Sequence, residues 1–162
     1  NWEIVMTSHK PKESQVYSLH MRGTKPDLDK VKLYTGRKRF DVDKLVSFDI
    51  EDEGYSALSY FMGSILSSVI WTFQNHLKQK KIDLDEIEGV IEADLQNPLR
   101  LIPVRGYDQP AQIRNIKVKI YYYADDDEEK LDQMARDCQV DNPIFQLVNQ
   151  SSPIELEPHF IL

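Results

Sequence analysis

Cys138 carries the only thiol in these 162 residues. A cysteine does chemistry as the thiolate, so its worth as a nucleophile depends on how easily it ionises. Acting alone, Cys138 has two redox options, a sulfenic acid or a bridge to a second copy of the chain. Its bland alternative is a buried, inert thiol on an amphipathic helix. One cysteine excludes an intrachain disulfide and a cysteine-rich zinc site. His9, His20, His76 and His159 are scattered without metal-ligand spacing, so no metal is expected. The acidic run Asp125-Asp126-Asp127-Glu128-Glu129 lacks the loop pattern and glycine of an EF-hand and reads as a solvated helix N-terminus. Gly36 and Gly106 are isolated and form no phosphate-cradling loop, so no cofactor is expected.

The elements that must position such groups are led by one long segment. Tyr55 to Leu77 contains no Asp, Glu, Lys or Arg. It is long enough to cross a bilayer, but its many Ser, Thr, Gln, Asn and His residues make it too polar for a lone span. We expect a helix from about Ser56 to about Gln79, buried within the protein. Glu51-Asp52-Glu53 precede it and Lys78, Lys80 and Lys81 close it, both of the sign the helix dipole favours. Leu58, Phe61, Met62, Ile65, Val69, Phe73 and Leu77 form a bulky stripe. Ser56, Ser59, Gly63, Ser64, Ser67 and Ser68 form a stripe of small side chains that admits close approach of another backbone.

Upstream, Trp2 to Thr7 and Val16 to Met21 read as strands around Lys10-Pro11-Lys12, with a loop at 23–27. Lys32 to Thr35 and Arg39 to Val42 read as a hairpin, and Leu45 to Ile50 as a further strand. Downstream, Ile87 to Leu95 and Arg114 to Tyr123 alternate as strands, separated by an interrupted loop from Asn97 to Gln112. Leu131, Met134, Ala135 and Cys138 are at helical spacing, Asn142 to Val148 forms another helical turn, and 154–157 is a last strand. The class is α+β with mostly antiparallel pairing, in one domain spanning 1–162.

Bulk properties remove whole classes of function. The chain is 41% hydrophobic and 29% charged, as a globular domain should be. Its net charge of −7, from 27 acidic against 20 basic residues, opposes binding to nucleic acid or to an anionic membrane. No opening stretch has the order of a secretory signal, and a lone cysteine suits a reducing compartment, so a cytoplasmic location is expected.

Two stretches together resemble the signatures of the OsmC/Ohr superfamily of thiol peroxidases. In that family the long helix carries Pro-x-Glu, then an apolar and small run, and ends in Ser-Cys. Here Ala57-Leu58-Ser59 takes the first place, Phe61-Met62-Gly63-Ser64-Ile65-Leu66 the run, and Ser67-Ser68 the last place. The family's second signature is similar to Cys-Pro-Val-Ser-Asn before an apolar turn and a terminal strand. It is matched by Cys138-Gln139-Val140-Asp141-Asn142-Pro143-Ile144 and then 152–157. The resemblance covers roughly 54–157 and leaves 1–50 the least defined part.

That resemblance implies antiparallel sheets packed around a long central helix, in an intertwined homodimer with the site at the subunit interface. It also implies a two-cysteine reaction, in which one thiolate attacks the peroxide O–O bond and a second cysteine condenses with the sulfenic acid. By that implication Ser68 stands at the peroxidatic position, Ser59 at that of the orienting acid, and Cys138 at the resolving position. Arg37 or Arg39 is left to supply the arginine. A hydroxyl is hardly ionised near neutral pH and has no oxidation ladder, and no nucleophile-elbow glycines surround Ser68. The expectation is an OsmC-like protein without peroxidatic activity that binds a small apolar ligand or a partner, with Phe61, Ile65 and Phe145 as pocket walls. The alternative is a weak thiol-dependent organic hydroperoxide reductase acting through Cys138.

Overall fold

The computed structural model describes residues 16–25, 30–48, 54–102 and 104–162. The chain divides into two units, Asn1–Ala57 and Leu58–Leu162. In the first, strands β1 (Arg22–Thr24), β2 (Val31–Thr35) and β3 (Lys38–Val42) form an antiparallel sheet in that order. The expected hairpin is present, with Leu33 opposite Phe40 and Tyr34 opposite Arg39. Its turn begins at Gly36, whose φ of 57° is open to glycine at little cost. The Arg22 guanidinium lies 4.4 Å from the centre of the Tyr34 ring, a cation–π contact across β1 and β2. Beyond β3, the Asp43 N–H donates to the Tyr55 carbonyl and the Ala57 N–H to that of Lys44.

Two strand expectations in this unit need correction. Residues 16–21 have no strand assignment and pair with no strand among the described residues, and the short strand falls instead at Arg22–Thr24, where a loop was expected. Residues 45–48 form a bend and irregular chain rather than a strand. In both places β-branched and aromatic residues suggested a strand, but strand formation depends on a partner, which composition does not supply. The expected strand at 2–7, its connector at 10–12, and residues 49–53 lie outside the described residues.

The second unit is built on α1 (Ala57–Gln79), β4 (Leu84–Gln96), β5 (Gln112–Ala124), α2 (Glu128–Asp137), α3 (Pro143–Ser151) and β6 (Ile154–Phe160). A 3₁₀ turn, Pro98–Leu101, interrupts the loop between β4 and β5, and a second, Cys138–Asp141, joins α2 to α3. The sheet order is β4-β5-β6. The β4–β5 pair is antiparallel and the β5–β6 pair parallel. Parallel neighbours need a crossover, which α2 and α3 provide.

One face of this sheet makes the core. Ile116, Val118, Ile120, Tyr122 and Ala124 alternate along β5 and are all buried. They meet Ile65, Val69, Phe73 and Leu77 of α1, Leu131 and Ala135 of α2, and Phe145 of α3 in one cluster. The bulky stripe is thus buried from Ile65 onward. Phe73 meets the Tyr122 ring edge-on at 5.1 Å, and fully burying side chains of this size stabilises by about 2–3 kcal/mol each. The Tyr122 hydroxyl donates to Asp132 and so ties α2 to β5. Burial first, and then this bond, push the phenol well above its ordinary range. Gly89 of β4 lies beneath α1, where an added Cβ would sit 2.8 Å from Leu66 Cδ1. The outer face carries Lys117 and Lys119 of β5, paired with Glu155, Glu157 and Glu92 in exposed ion pairs of small energetic weight.

The α1 C-terminus closes by a Schellman motif. The Ile82 N–H donates to the Leu77 carbonyl at 3.0 Å and the Lys81 N–H to that of Lys78 at 3.1 Å. Ile82 also packs against the core beside Leu77. The motif requires a left-handed residue, and Lys81 fills that place at φ 59°. A Cβ is strained there, so Lys81→Gly should raise stability by about 0.5–1 kcal/mol. Urea unfolding of the variant beside the parent chain, at equal slope, checks the gain.

Candidate functional site

Serines are tolerated in the middle of α1 because their hydroxyls bond backward along the helix. Ser64 Oγ donates to the Phe61 carbonyl at 2.7 Å, Ser67 Oγ to that of Ser64 at 3.4 Å, and Ser68 Oγ to that of Ile65 at 2.8 Å. Opposite them, Asn142-Pro143 opens α3. Proline fits the first helical position because it lacks the N–H that would be unsatisfied there, and asparagine is a preferred cap before it. Asn142 Oδ1 accepts from the N–H groups of Ile144 and Phe145, each at 3.1 Å.

The other end of the Asn142 amide reaches α1. Its Nδ2 donates to Ser68 Oγ at 2.9 Å and to Gln139 Oε1 at 3.0 Å. Gln139 Nε2 in turn faces the Val69 and Ala135 carbonyls, each at 3.3 Å, and Cys138 Sγ at 3.5 Å. Both amides are 1% exposed. Ser68 and Cys138 are therefore joined by two buried amides rather than by direct contact. Among the described residues, no buried side-chain nitrogen or oxygen lacks a partner.

The Cys138 thiol is itself 3% exposed and donates to the Ala135 carbonyl at 3.4 Å. Its pKa is pushed up to about 11, by burial first and by the nearby Asp141 carboxylate next. Both causes disfavour the thiolate, and the Gln139 amide offsets them only in part.

Ser68 and Cys138 open onto neighbouring pockets. Ser68 lines one of about 460 Å³ with Ser64, Ser67, Asn142, Pro143 and Ile144. Cys138 lines one of about 170 Å³ with Asn75, His76 and Gln79. Trp71, Thr72 and Asp141 line both. Phe61 lies elsewhere, in a third pocket of about 350 Å³ with Ile113, Ile116, Leu147 and Val148. Ile65 is wholly buried and Phe145 nearly so; both belong to the core and line none of these three pockets. Ser59 is exposed in the first turns of α1 and also lines none of them. Arg37 lies in the β2–β3 turn and Arg39 in β3. His159 pairs with Glu157 at 3.5 Å and stacks on Tyr121. Asp127 caps α2 by accepting from the Lys130 N–H. No group of His, Cys, Asp and Glu among the described residues is arranged to hold a metal.

Sequence reasoning missed Asn142, Gln139, Trp71 and Asp141. Asn142 had a signal, since asparagine before proline ahead of an apolar turn marks a helix cap. Gln139 had none, because nothing local distinguishes a buried glutamine from a solvated one.

A family model described as OsmC-like protein matches residues 50–157. Solved structures agree in fold. An OsmC like protein from Mycoplasma pneumoniae superposes with a TM-score of 0.72 at 9% identity, covering 90% of this chain and 99% of that one. The organic hydroperoxide resistance protein OsmC of Legionella pneumophila gives 0.61 at 11% identity, covering 89% and 98%. The organic hydroperoxide resistance protein OhrB of Bacillus subtilis gives 0.61 at 15% identity, covering 88% and 98%. No curated protein matches the sequence.

Two outcomes follow from this geometry. Alkylation of native Cys138 should be slow at neutral pH and rise about tenfold per pH unit until it levels near the thiol's pKa of about 11, whereas the urea-unfolded chain should level near about 8.5. Between those values the folded state binds the extra proton, so this group lowers stability as pH rises through the window. An iodoacetamide rate profile with and without urea checks both values. Asn142→Ala removes a cap and leaves buried polar groups without partners, so it should cost about 2–3 kcal/mol in urea unfolding.

Proposed function

The chain belongs to the OsmC-like protein family, and from that premise we propose a member without peroxidatic chemistry that holds a small molecule beside Ser68. One observation carries this reading. The hydroxyl at Ser68 is engaged on both sides, donating to Ile65 and accepting from Asn142, while the only thiol is buried and keeps its proton at neutral pH. Attack on a peroxide needs an ionised sulfur. An oxygen at Ser68 has no sulfenic state, and a protonated Cys138 is a poor substitute.

What persists at this place is a partly apolar pocket. Trp71, Pro143 and Ile144 supply its hydrophobic surface, and Trp71 is two-thirds exposed. Recognition by such a cleft rests on apolar contact and a few directed polar groups. We take the chain as one family domain over 1–162. We also take it as a homodimer joined along the outward side of α1, where Tyr60, Gly63, Ser67 and Trp71 are exposed. Glycine and serine at such a face let a second helix approach closely. No helix among the described residues is long and apolar enough to cross a membrane; we place the protein in the cytoplasm, where a lone thiol stays reduced.

A second reading has one observation in its favour: Cys138 borders a pocket that also holds His76. In it, Cys138 alone would reduce an organic hydroperoxide to the alcohol. Its thiolate would take one peroxide oxygen as a sulfenic acid, and a dithiol would then return it to the thiol with release of water.

The two are separated by incubating purified protein with cumene hydroperoxide and dithiothreitol and following peroxide loss. We expect no consumption above the dithiol background at high protein concentration, near neutral pH. Turnover that disappears in Cys138→Ser would replace the first reading with the second.

A further inference from the structure

The pocket that holds Phe61 lies wholly in the second unit, among the early turns of α1, the start of β5 and the last turns of α3, and measures about 350 Å³. It is not on the outward side of α1 that we take as the subunit contact. Tyr60, Gly63, Ser67 and Trp71 do not line it. Phe61, its one residue from α1, is turned by about 100° from Tyr60 around the helix axis and packs against the core. Ile113 and Ile116 of β5 and Val148 of α3 continue the apolar wall, and Leu147 lines it while 69% exposed.

A single charge borders this surface: Arg114 is the one ionisable residue that lines it. Its Nη2 donates to the neutral Gln112 amide oxygen at 2.8 Å, and among the described residues it forms no ion pair. A guanidinium has five N–H donors, so others remain for a ligand. Asp94 lies opposite Arg114 in the β4–β5 register, but its carboxylate accepts from the Asn115 amide at 2.7 Å. Ser151 and Ser152, at the end of α3, add two hydroxyls. That helix end carries about half a negative charge, against the full positive charge of Arg114. The Ser152 N–H already satisfies one of its carbonyls, at Val148.

We propose that the groove between Phe61, Arg114 and Leu147 binds a small apolar carboxylate, its hydrocarbon along Phe61, Ile113 and Val148 and its anionic head on Arg114. This site shares no residue with the Ser68 pocket and does not depend on the reading given to that pocket. The apolar wall by itself would accept any hydrocarbon, whereas a cation at its edge favours an amphiphile of the opposite sign. A guanidinium pairs with a carboxylate through two parallel N–H···O bonds, which adds direction to the charge. A cavity of about 350 Å³ suits an acid with a short aliphatic chain.

The test is calorimetric titration of the full chain with octanoate, with 1-octanol as the neutral comparison and octylammonium as the cationic one. We expect octanoate to bind about fivefold more tightly than octanol, the upper end for an exposed charge pair, and octylammonium to bind more weakly than both. Arg114→Gln should bring octanoate down to the level of octanol. Leu147→Glu should weaken octanoate and octanol together, and octanoate the more. Both positions are exposed, and circular dichroism confirms that each variant is folded. No binding of octanoate, equal affinity for octanoate and octanol in the parent chain, or tighter binding of octylammonium overturns the inference. So does a preference for octanoate that survives in Arg114→Gln, or binding unchanged in both variants, which would put the ligand at another place.

Discussion

The carboxamide of Asn142 joins more of this unit than any other single group. Its oxygen caps α3 through two backbone N–H groups, and its nitrogen reaches Ser68 on α1 and Gln139 in the turn after α2. One amide has four hydrogen-bonding sites, and here all are filled. A buried amide is costly only where it is unsatisfied. Fully paired, it holds three segments in one arrangement: α1, the Cys138–Asp141 turn and the start of α3. Gln139 extends the same constraint to the α1 backbone at Val69 and to the end of α2 at Ala135.

The chemistry left at the site follows from that constraint. The amides place Ser68 and Cys138 at opposite ends of a polar relay. Ser68 is held as a hydrogen-bonding hydroxyl. Cys138 is held as a thiol, because it is shielded from water and the negative charge of Asp141 lies nearby. The OsmC-like fold carries a serine at position 68, and in front of it lies a cleft lined by Trp71, Pro143 and Ile144.

The two faces of α1 explain how one helix serves both ends. From Ile65 to Leu77 its bulky stripe lies against β5 and supplies much of the core. Gly89 lets β4 come under Leu66 and Ile70 without a side chain in the way. The serine stripe faces away from that sheet, where small side chains leave room for Asn142 to touch the helix and for the pocket beside it. The core packs on one side of the helix, and the Ser68 pocket opens on the other.

Much of this was legible in the residues. Charge-free length and two-faced spacing determined α1, alternation determined β4 and β5, and the pair of signatures pointed to the family. The residues at 16–21 and 45–48 misled because a strand exists only where another strand pairs with it, and pairing is not a local property. Ile65 and Phe145 lie in the core, and apolar character alone does not say which surface a residue covers. Sequence by itself therefore determined most of the elements and the family. Only the tertiary structure decided that Gln139 and Asn142 are buried, that they connect Ser68 to Cys138, and that Cys138 keeps its proton. Those outcomes depend on burial and on bonds between α1 and the segment from the turn after α2 into α3, which lie 74 residues apart at Ser68 and Asn142 and meet only once the chain has folded.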